Sequence, residues 1–320
     1  MENTKQNRLL EIFFRALRGE DIFVQKLANE YEVSTKSITR CINDLKVFFA
    51  ENRELVGNTE LRYSYQDKCY RLYMDDFLTS KELFALVEVI IGARAFSKIE
   101  LLALTDKLRR FTTSEDGAKL NDLISKELYH YSEVKHDCES VQDRLWQLVN
   151  CITEKREISI EYYRMDRSWV THRLRPVSVM FTDFYFYLIA FKTDGDTQKP
   201  IYFRVDRIKD VTEHRKKFTS YDAPDFDEGV LRSRSLFMWP GKLRTVRFEF
   251  TGPSVQAVLD KLPTAKIIER NGSKYLIEAE TYGDGIKMWL LSQGSWVKVT
   301  APDEFVAEMR DEIDKMRKFY

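Results

Sequence analysis

The sequence is poor in the residues that build metal centres and disulfide scaffolds. Its four cysteines, Cys41, Cys69, Cys138 and Cys151, lie far apart and form no CxxC pair. That argues against a disulfide framework or a zinc site and fits a reducing cytosol. No apolar run approaches the ~18 residues of a membrane span. The start, Met1-Glu2-Asn3-Thr4-Lys5, lacks the apolar segment of a secretory signal, so a cytoplasmic protein is expected. Internal repeats and low-complexity stretches are missing. A P-loop, GxSxG, HExxH and any Cys–His pairing are missing as well, so no enzyme, catalytic residue, metal or cofactor is expected. Net charge is absent too, with 51 Lys and Arg against 51 Asp and Glu. Overall charge therefore says nothing about nucleic acid, and local charge must decide.

What remains is a chain of 320 residues, long enough for two or three units. The first, residues 1–75, opens with an apolar helical pattern at Leu9, Leu10, Ile12, Phe13, Phe14 and Leu17 that Gly19 ends. A short helix from about Phe23 to Tyr31 and a tight connection lead to a third helix. Ser34 is its N-cap, and Val33 with Ile38 its hydrophobic staple. Ile38, Ile42, Leu45 and Phe49 share one stripe of that helix. Lys36, Arg40 and Asn43 fall opposite, flanked by Ser37 and Thr39. Arg suits guanine and Asn suits adenine in a DNA major groove. The competing reading is a three-helix core with a merely solvated polar face. The next residues read as a β-hairpin, Leu61 to Tyr73, with Arg62, Lys68 and Arg71 at or near its tip. Three helices and a basic hairpin make a winged helix-turn-helix whose wing would touch phosphates.

Residues 76–155 read as a helical connector. Thr79-x-x-Glu82 and Ser97-x-x-Glu100 are capping boxes, and further helices are expected near Glu115–Leu128 and Ser140–Lys155. The first of these helices, Ser80 to about Ala95, is apolar over most of its girth. It is therefore central to a core or clamped between chains. A dimer surface is expected here; the competing reading is a monomeric helical domain. His130 and His136, without an acidic or cysteine partner at ligand spacing, are expected at the surface.

Two aromatic, β-branched runs follow, Asp183–Phe191 and Ile201–Ile208. The first hardly alternates and should be covered on both faces. In the second, Ile201, Phe203 and Val205 should share one face, and Tyr202, Arg204 and Asp206 the other. Lys155–Lys217 carries about 14 Lys/Arg against about 9 Asp/Glu, roughly +5 in a neutral chain. Tyr162, His172, Arg173, Arg175, Tyr187, Arg204 and Arg207 are candidates to line an anion site, with aromatics free to stack on bases. Asp206 would orient one guanidinium. The competing reading has Arg204 and Arg207 only pairing with Asp206 and Asp210 along a sheet edge.

Residues 219–244 read as an irregular crossing. Residues 245–320 then give the order β-α-β-β-α-β plus a final helix, a ferredoxin-like arrangement in an overall multidomain α+β chain. An Asn271-Gly272 turn is expected within it.

The pattern Ile158-x-Ile160-x-Tyr162, Arg173-x-x-Pro176, Tyr187-Leu188-Ile189-Ala190 and Phe203-Arg204-x-Asp206-Arg207-Ile208 resembles the WYL domain. Phe186 stands in place of the naming Trp. The third-helix region resembles the helix-turn-helix of the same regulators, with Cys41 where Asp is common. The resemblance implies an Sm-like five-stranded sheet at 156–218 and an extension domain after it. It also implies a homodimeric transcriptional regulator that binds a double-stranded DNA operator. Its arginines would take an anionic effector, a single-stranded nucleic acid or nucleotide. Replacing Arg204 and Arg207 by Ala should then abolish the response and spare the fold. An alternative from another class is a nucleotide- or RNA-processing enzyme with an N-terminal targeting module.

Overall fold

A computed structural model describes residues 4–74, 78–112, 114–194, 199–219 and 227–320. Two compact units emerge, Met1–Lys135 and His136–Tyr320.

The first unit opens with α1 (Lys5–Leu17), α2 (Val24–Glu30) and α3 (Thr35–Glu51), then the single turn α4 (Arg53–Val56). The Ser34 side chain accepts from the Ser37 N–H and so caps α3. Ile38, Ile42, Leu45 and Phe49 are buried to 3 % exposure or less and form the core with Ile12 and Leu27. Cys41 joins them, so a core position accounts for a small apolar thiol there. A two-stranded hairpin follows, β1 (Glu60–Ser64) against β2 (Cys69–Tyr73). Ile22, between α1 and α2, exchanges two 2.9 Å backbone hydrogen bonds with Tyr70 and ties the hairpin to the helices. Removing the α3 cap by Ser34→Ala should cost about 1 kcal/mol of stability, read as a lower urea midpoint at unchanged slope.

Three further helices complete this unit: α5 (Ser80–Ala93), α6 (Lys98–Arg109) and α7 (Ser114–Tyr129). Both capping boxes form, at Thr79/Glu82 and Ser97/Glu100. The apolar girth of α5 is only partly used. Leu83, Val87 and Ile91 are buried, whereas Leu86 and Val89 stay 42 % and 68 % exposed.

The second unit begins with α8 (Val141–Thr153), grouped above with the helical connector. The structure corrects that grouping. Leu148 and Cys151 of α8 enter one core with Ile158, Ile160, Leu174, Leu188 and Phe203. That core lies under an antiparallel five-stranded sheet of β3 (Arg156–Tyr163), β4 (Trp169–Thr182), β5 (Tyr185–Lys192), β6 (Ile201–Arg204) and β7 (Ile208–Lys217), in the order β6-β5-β4-β3-β7. Tyr162 on β3 packs 5.1 Å from Phe203 on β6 although two strands lie between them, so the sheet curls. Leu188, Ile189, Ala190 and Phe191 are buried in succession, as the missing alternation predicts. The second run does not stay extended to Ile208. Val205–Arg207 is a 3₁₀ turn that carries the chain from β6 to β7, and both Val205 and Asp206 are buried. The two-residue alternation ends there, so Asp206 leaves the strand face of Arg204. Gly195-Asp196, in the polar stretch between the two runs, lies outside the described residues.

The crossing is less irregular than expected, since it holds α9 (Glu228–Arg234). Its Pro224 lies outside the described residues. Phe237 and Met238 take left-handed conformations, φ 54° and 48°. Leu236 thereby enters the C-terminal core, while Met238 packs with Met180 and Ile189 of the five-stranded sheet. Gly241 and Gly283 let two backbones touch, since a Cβ on Gly241 would stand 2.4 Å from Gly283 Cα. The remaining elements are β8 (Leu243–Phe250), α10 (Val255–Lys261), β9 (Lys266–Asn271), β10 (Lys274–Tyr282), α11 (Gly285–Ser292), β11 (Val297–Ala301) and α12 (Asp303–Arg317). The strands form an antiparallel sheet in the order β11-β8-β10-β9. Asn271 pairs with Lys274, so the hairpin turn is Gly272-Ser273, not Asn271-Gly272. Among the described residues no helix is long and apolar enough to cross a membrane.

Candidate nucleic-acid interface and anion site

The polar face of α3 is as the stripe requires. Lys36, Arg40 and Asn43 are exposed, and Ser37 and Thr39 are half-buried beside them. The two hydroxyl residues serve the helix itself: Ser37 Oγ lies 3.0 Å from Ser34 Oγ, and Thr39 Oγ1 donates to the Thr35 carbonyl at 3.0 Å. Lys36 and Arg40 make no ion pair among the described residues, so their charges stay available. Neighbouring charges are neutralised instead: Asp44 holds Lys5 at 2.7 Å, and the Lys46 ammonium sits 4.8 Å from the centre of the Tyr70 ring.

The hairpin arginines are engaged. Arg62 and Arg71 face each other in mid-hairpin, away from the tip. Arg71 binds both Asp21 oxygens, at 2.6 and 2.8 Å, and Asp67 at 2.8 Å. Its guanidinium holds the Asp21 carboxyl below the usual carboxylate range. Arg62 donates to Glu60 at 2.8 Å and lies over the Tyr73 ring. Only Lys68 stands at the tip, exposed, with a left-handed φ of 53°. Arg71 thus works as a clasp between hairpin and helices, and Lys68 is the cation best placed to meet a phosphate.

Strand register sorts the candidate anion residues by face. Arg173 lies opposite Ser159, Arg175 opposite Phe191, and Arg204 opposite Tyr187, all on the sheet face away from α8. His172 and Tyr162 belong to the other face, because adjacent strand residues point oppositely. His172 packs 5.3 Å from Phe203, and burial, then Lys192 and Arg164, push its pKa down. The ring is therefore neutral at pH 7 and a poor anion partner.

The arginines gather round two buried acids. Glu157 is 1 % exposed and takes Arg173 at 3.0 Å, Lys216 at 2.9 Å and Arg175 at 3.6 Å. Burial alone would raise its pKa. Lys216, Arg173 and Arg175 outweigh that and hold it below the ordinary value. Three cations thus converge on this one carboxylate. The second acid, Asp206, is 3 % exposed and receives the Arg204 fork at 3.0 and 2.6 Å. The same guanidinium lies 3.4 Å from the centre of the Tyr185 ring. Burial opposes ionisation of Asp206, but contacts with His136 and Arg204 keep its pKa low. Tyr162 accepts the Arg204 backbone N–H at 3.3 Å, and burial raises its pKa against the pull of Arg204 and Arg207. Arg207 is half-buried beside it.

His130 is exposed, as expected. His136 is not. Its side chain is 6 % exposed and its Nδ1 lies 3.7 Å from Asp206. Sequence spacing could not reveal this pairing, because the acid sits far along the chain on a turn. Glu157, Lys216 and Tyr185 also escaped the sequence reading; only the β3–β4–β7 and β5–β6 registers bring them to the arginines. Among the described residues no group of three or more His, Cys, Asp or Glu is placed to hold a metal ion.

Residues 143–213 match the WYL domain and residues 242–317 the WCX domain. The first match includes most of α8, in keeping with its packing. No protein of curated function matches the chain. Among solved structures it is similar to proteasome accessory factor B/C (PafBC) of Arthrobacter aurescens, at 15 % identity and a TM-score of 0.30 over 98 % of this chain. The chain spans 48 % of that protein's length. It is also similar to a CRISPR Cas-related protein, at 17 % identity and a TM-score of 0.39, covering 77 % of this chain and 75 % of the other.

Proposed function

We propose that this chain is a non-enzymatic, cytoplasmic, homodimeric regulator of transcription. Its first 75 residues act as a winged helix-turn-helix on double-stranded DNA. Its WYL domain, an Sm-like sheet, receives an anionic effector such as a single-stranded nucleic acid or a nucleotide. The ferredoxin-like WCX domain carries dimer contacts or relays the sensor's state. The observation that carries the reading is α3, with its apolar stripe buried and Lys36, Arg40 and Asn43 exposed on the opposite side. A helix seated by its own core and bearing uncommitted groups outward suits groove entry. The guanidiniums gathered on Glu157 and Asp206 support an anion as effector, since the buried acids fix these forks before any ligand arrives.

The test is the salt dependence of binding to duplexes selected from a random pool. Affinity should fall steeply with salt. The Lys36→Ala, Arg40→Ala double variant should bind about 10- to 100-fold more weakly and show a shallower slope, by roughly one for each lost phosphate contact. Unchanged affinity and slope would remove α3 as the reading helix.

A further inference from the structure

A cationic concavity lies within the first unit. Arg18, Arg109, Arg110, Thr112, Gly117 and Asn121 line a cavity of about 550 Å³ where the end of α1 meets the α6–α7 corner. Its charges do not cancel. Asp106 serves both Arg109, at 2.8 Å, and Arg110, at 2.9 Å. Arg109 is also fixed by donating to Asn121 Oδ1 at 3.0 Å. Arg18 is exposed and has no acidic partner among the described residues. The nearby acids of α7 are engaged with Lys119, Glu115 at 2.7 Å and Asp116 at 3.6 Å. Three guanidiniums against one carboxylate leave two positive charges on a concave wall, where the field is concentrated.

An adjoining cavity of about 510 Å³ shares Arg18 and has a different character. Leu72, Tyr73, Met74, Leu78 and Phe111 contribute to its wall. Phe111 is 55 % exposed, Tyr73 44 % and Leu78 50 %; the Phe111 ring stays open, while Arg62 covers one face of Tyr73 and leaves the other. Together the two lobes have the size of a small-ligand site, with three arginines at one end and, at the other, apolar and aromatic surface beside Glu82 and Asp116.

We infer that this double cleft binds a nucleoside mono- or diphosphate. The phosphate sits among Arg18, Arg109 and Arg110, and the base lies against Phe111 and Tyr73. Planar guanidinium forks favour phosphate oxygens, and aromatic faces stack on bases of any identity. This site does not depend on the effector reading of the WYL domain.

The experiment uses the full chain, with calorimetric titration of pyrophosphate, AMP and ADP. All three should bind, and the nucleotides more tightly than pyrophosphate. Arg18→Ala with Arg110→Ala, two exposed positions, should weaken every probe at least 10-fold. Phe111→Ala should spare pyrophosphate and abolish the nucleotide advantage. With Arg173→Ala and Arg207→Ala, the component of each titration that the Arg18/Arg110 variant removes should persist, which separates this site from any nucleotide held by the WYL arginines. No binding at millimolar probe, or titrations unaffected by the Arg18/Arg110 variant, would overturn the assignment. So would a variant that loses duplex affinity alone, which would make these arginines contacts to the DNA backbone.

Discussion

Glu157→Gln should destabilise the second unit by about 3 kcal/mol at pH 7, because it removes the buried charge on which Arg173, Arg175 and Lys216 converge. Arg175 is 12 % exposed and cannot recover much hydration by turning outward. The same change should flatten the acid limb of stability. The Glu157 pKa is lowered from an ordinary 4.5. A group depressed on folding contributes its stability above the unfolded pKa and loses it as pH falls through the folded one. The parent protein should therefore weaken from about pH 4.5 downward, and the variant should show less of that fall. Urea midpoints taken across this pH range decide the matter. A variant that matches the parent at pH 7 and keeps its acid slope would mean the carboxylate is neutralised by solvent instead.

Arg204→Ala should cost about 3–5 kcal/mol, a heavier loss than that expected of a surface sensor arginine. It strands Asp206, 3 % exposed, with only His136 at 3.7 Å. Replacing both members of the pair, Arg204→Met with Asp206→Leu, should recover most of the loss, because a packed apolar pair replaces a buried ionic one without leaving a lone charge. The expectation that the Arg204/Arg207 double alanine spares the fold thus fails on the geometry at Arg204. Arg207→Ala is the cleaner probe of effector binding, since no acid depends on it among the described residues. A midpoint for Arg204→Ala within about 0.5 kcal/mol of the parent would contradict this account, as that is the range of ordinary surface changes.

Local chemistry was legible wherever it repeats along the chain. Ile38, Ile42, Leu45 and Phe49 announced the buried side of α3, and Thr79/Glu82 and Ser97/Glu100 announced two helix starts to the residue. The order of strands and helices after Thr245 could be read from turn residues and alternation. What could not be read depends on closure. The 3₁₀ turn at Val205–Arg207 exists because the chain must pass from one edge strand to the other, and no local signal marks that need. Glu157 looks like any strand carboxylate until β4 and β7 bring Arg173, Arg175 and Lys216 around it. Likewise Arg71 of the hairpin looked free because Asp21 lies fifty residues before it. Charged side chains reveal their side of a helix in sequence; their partners appear only after folding.

The backbone contact at Gly241 and Gly283 bears on how the two domains are joined. Leu236 is anchored in the C-terminal core and Met238 against the five-stranded sheet, and the next residues, Trp239 to Gly241, press on Gly283 just past β10. A side chain added at either glycine would have to pry these two backbones apart, so the seam tolerates no thicker residue.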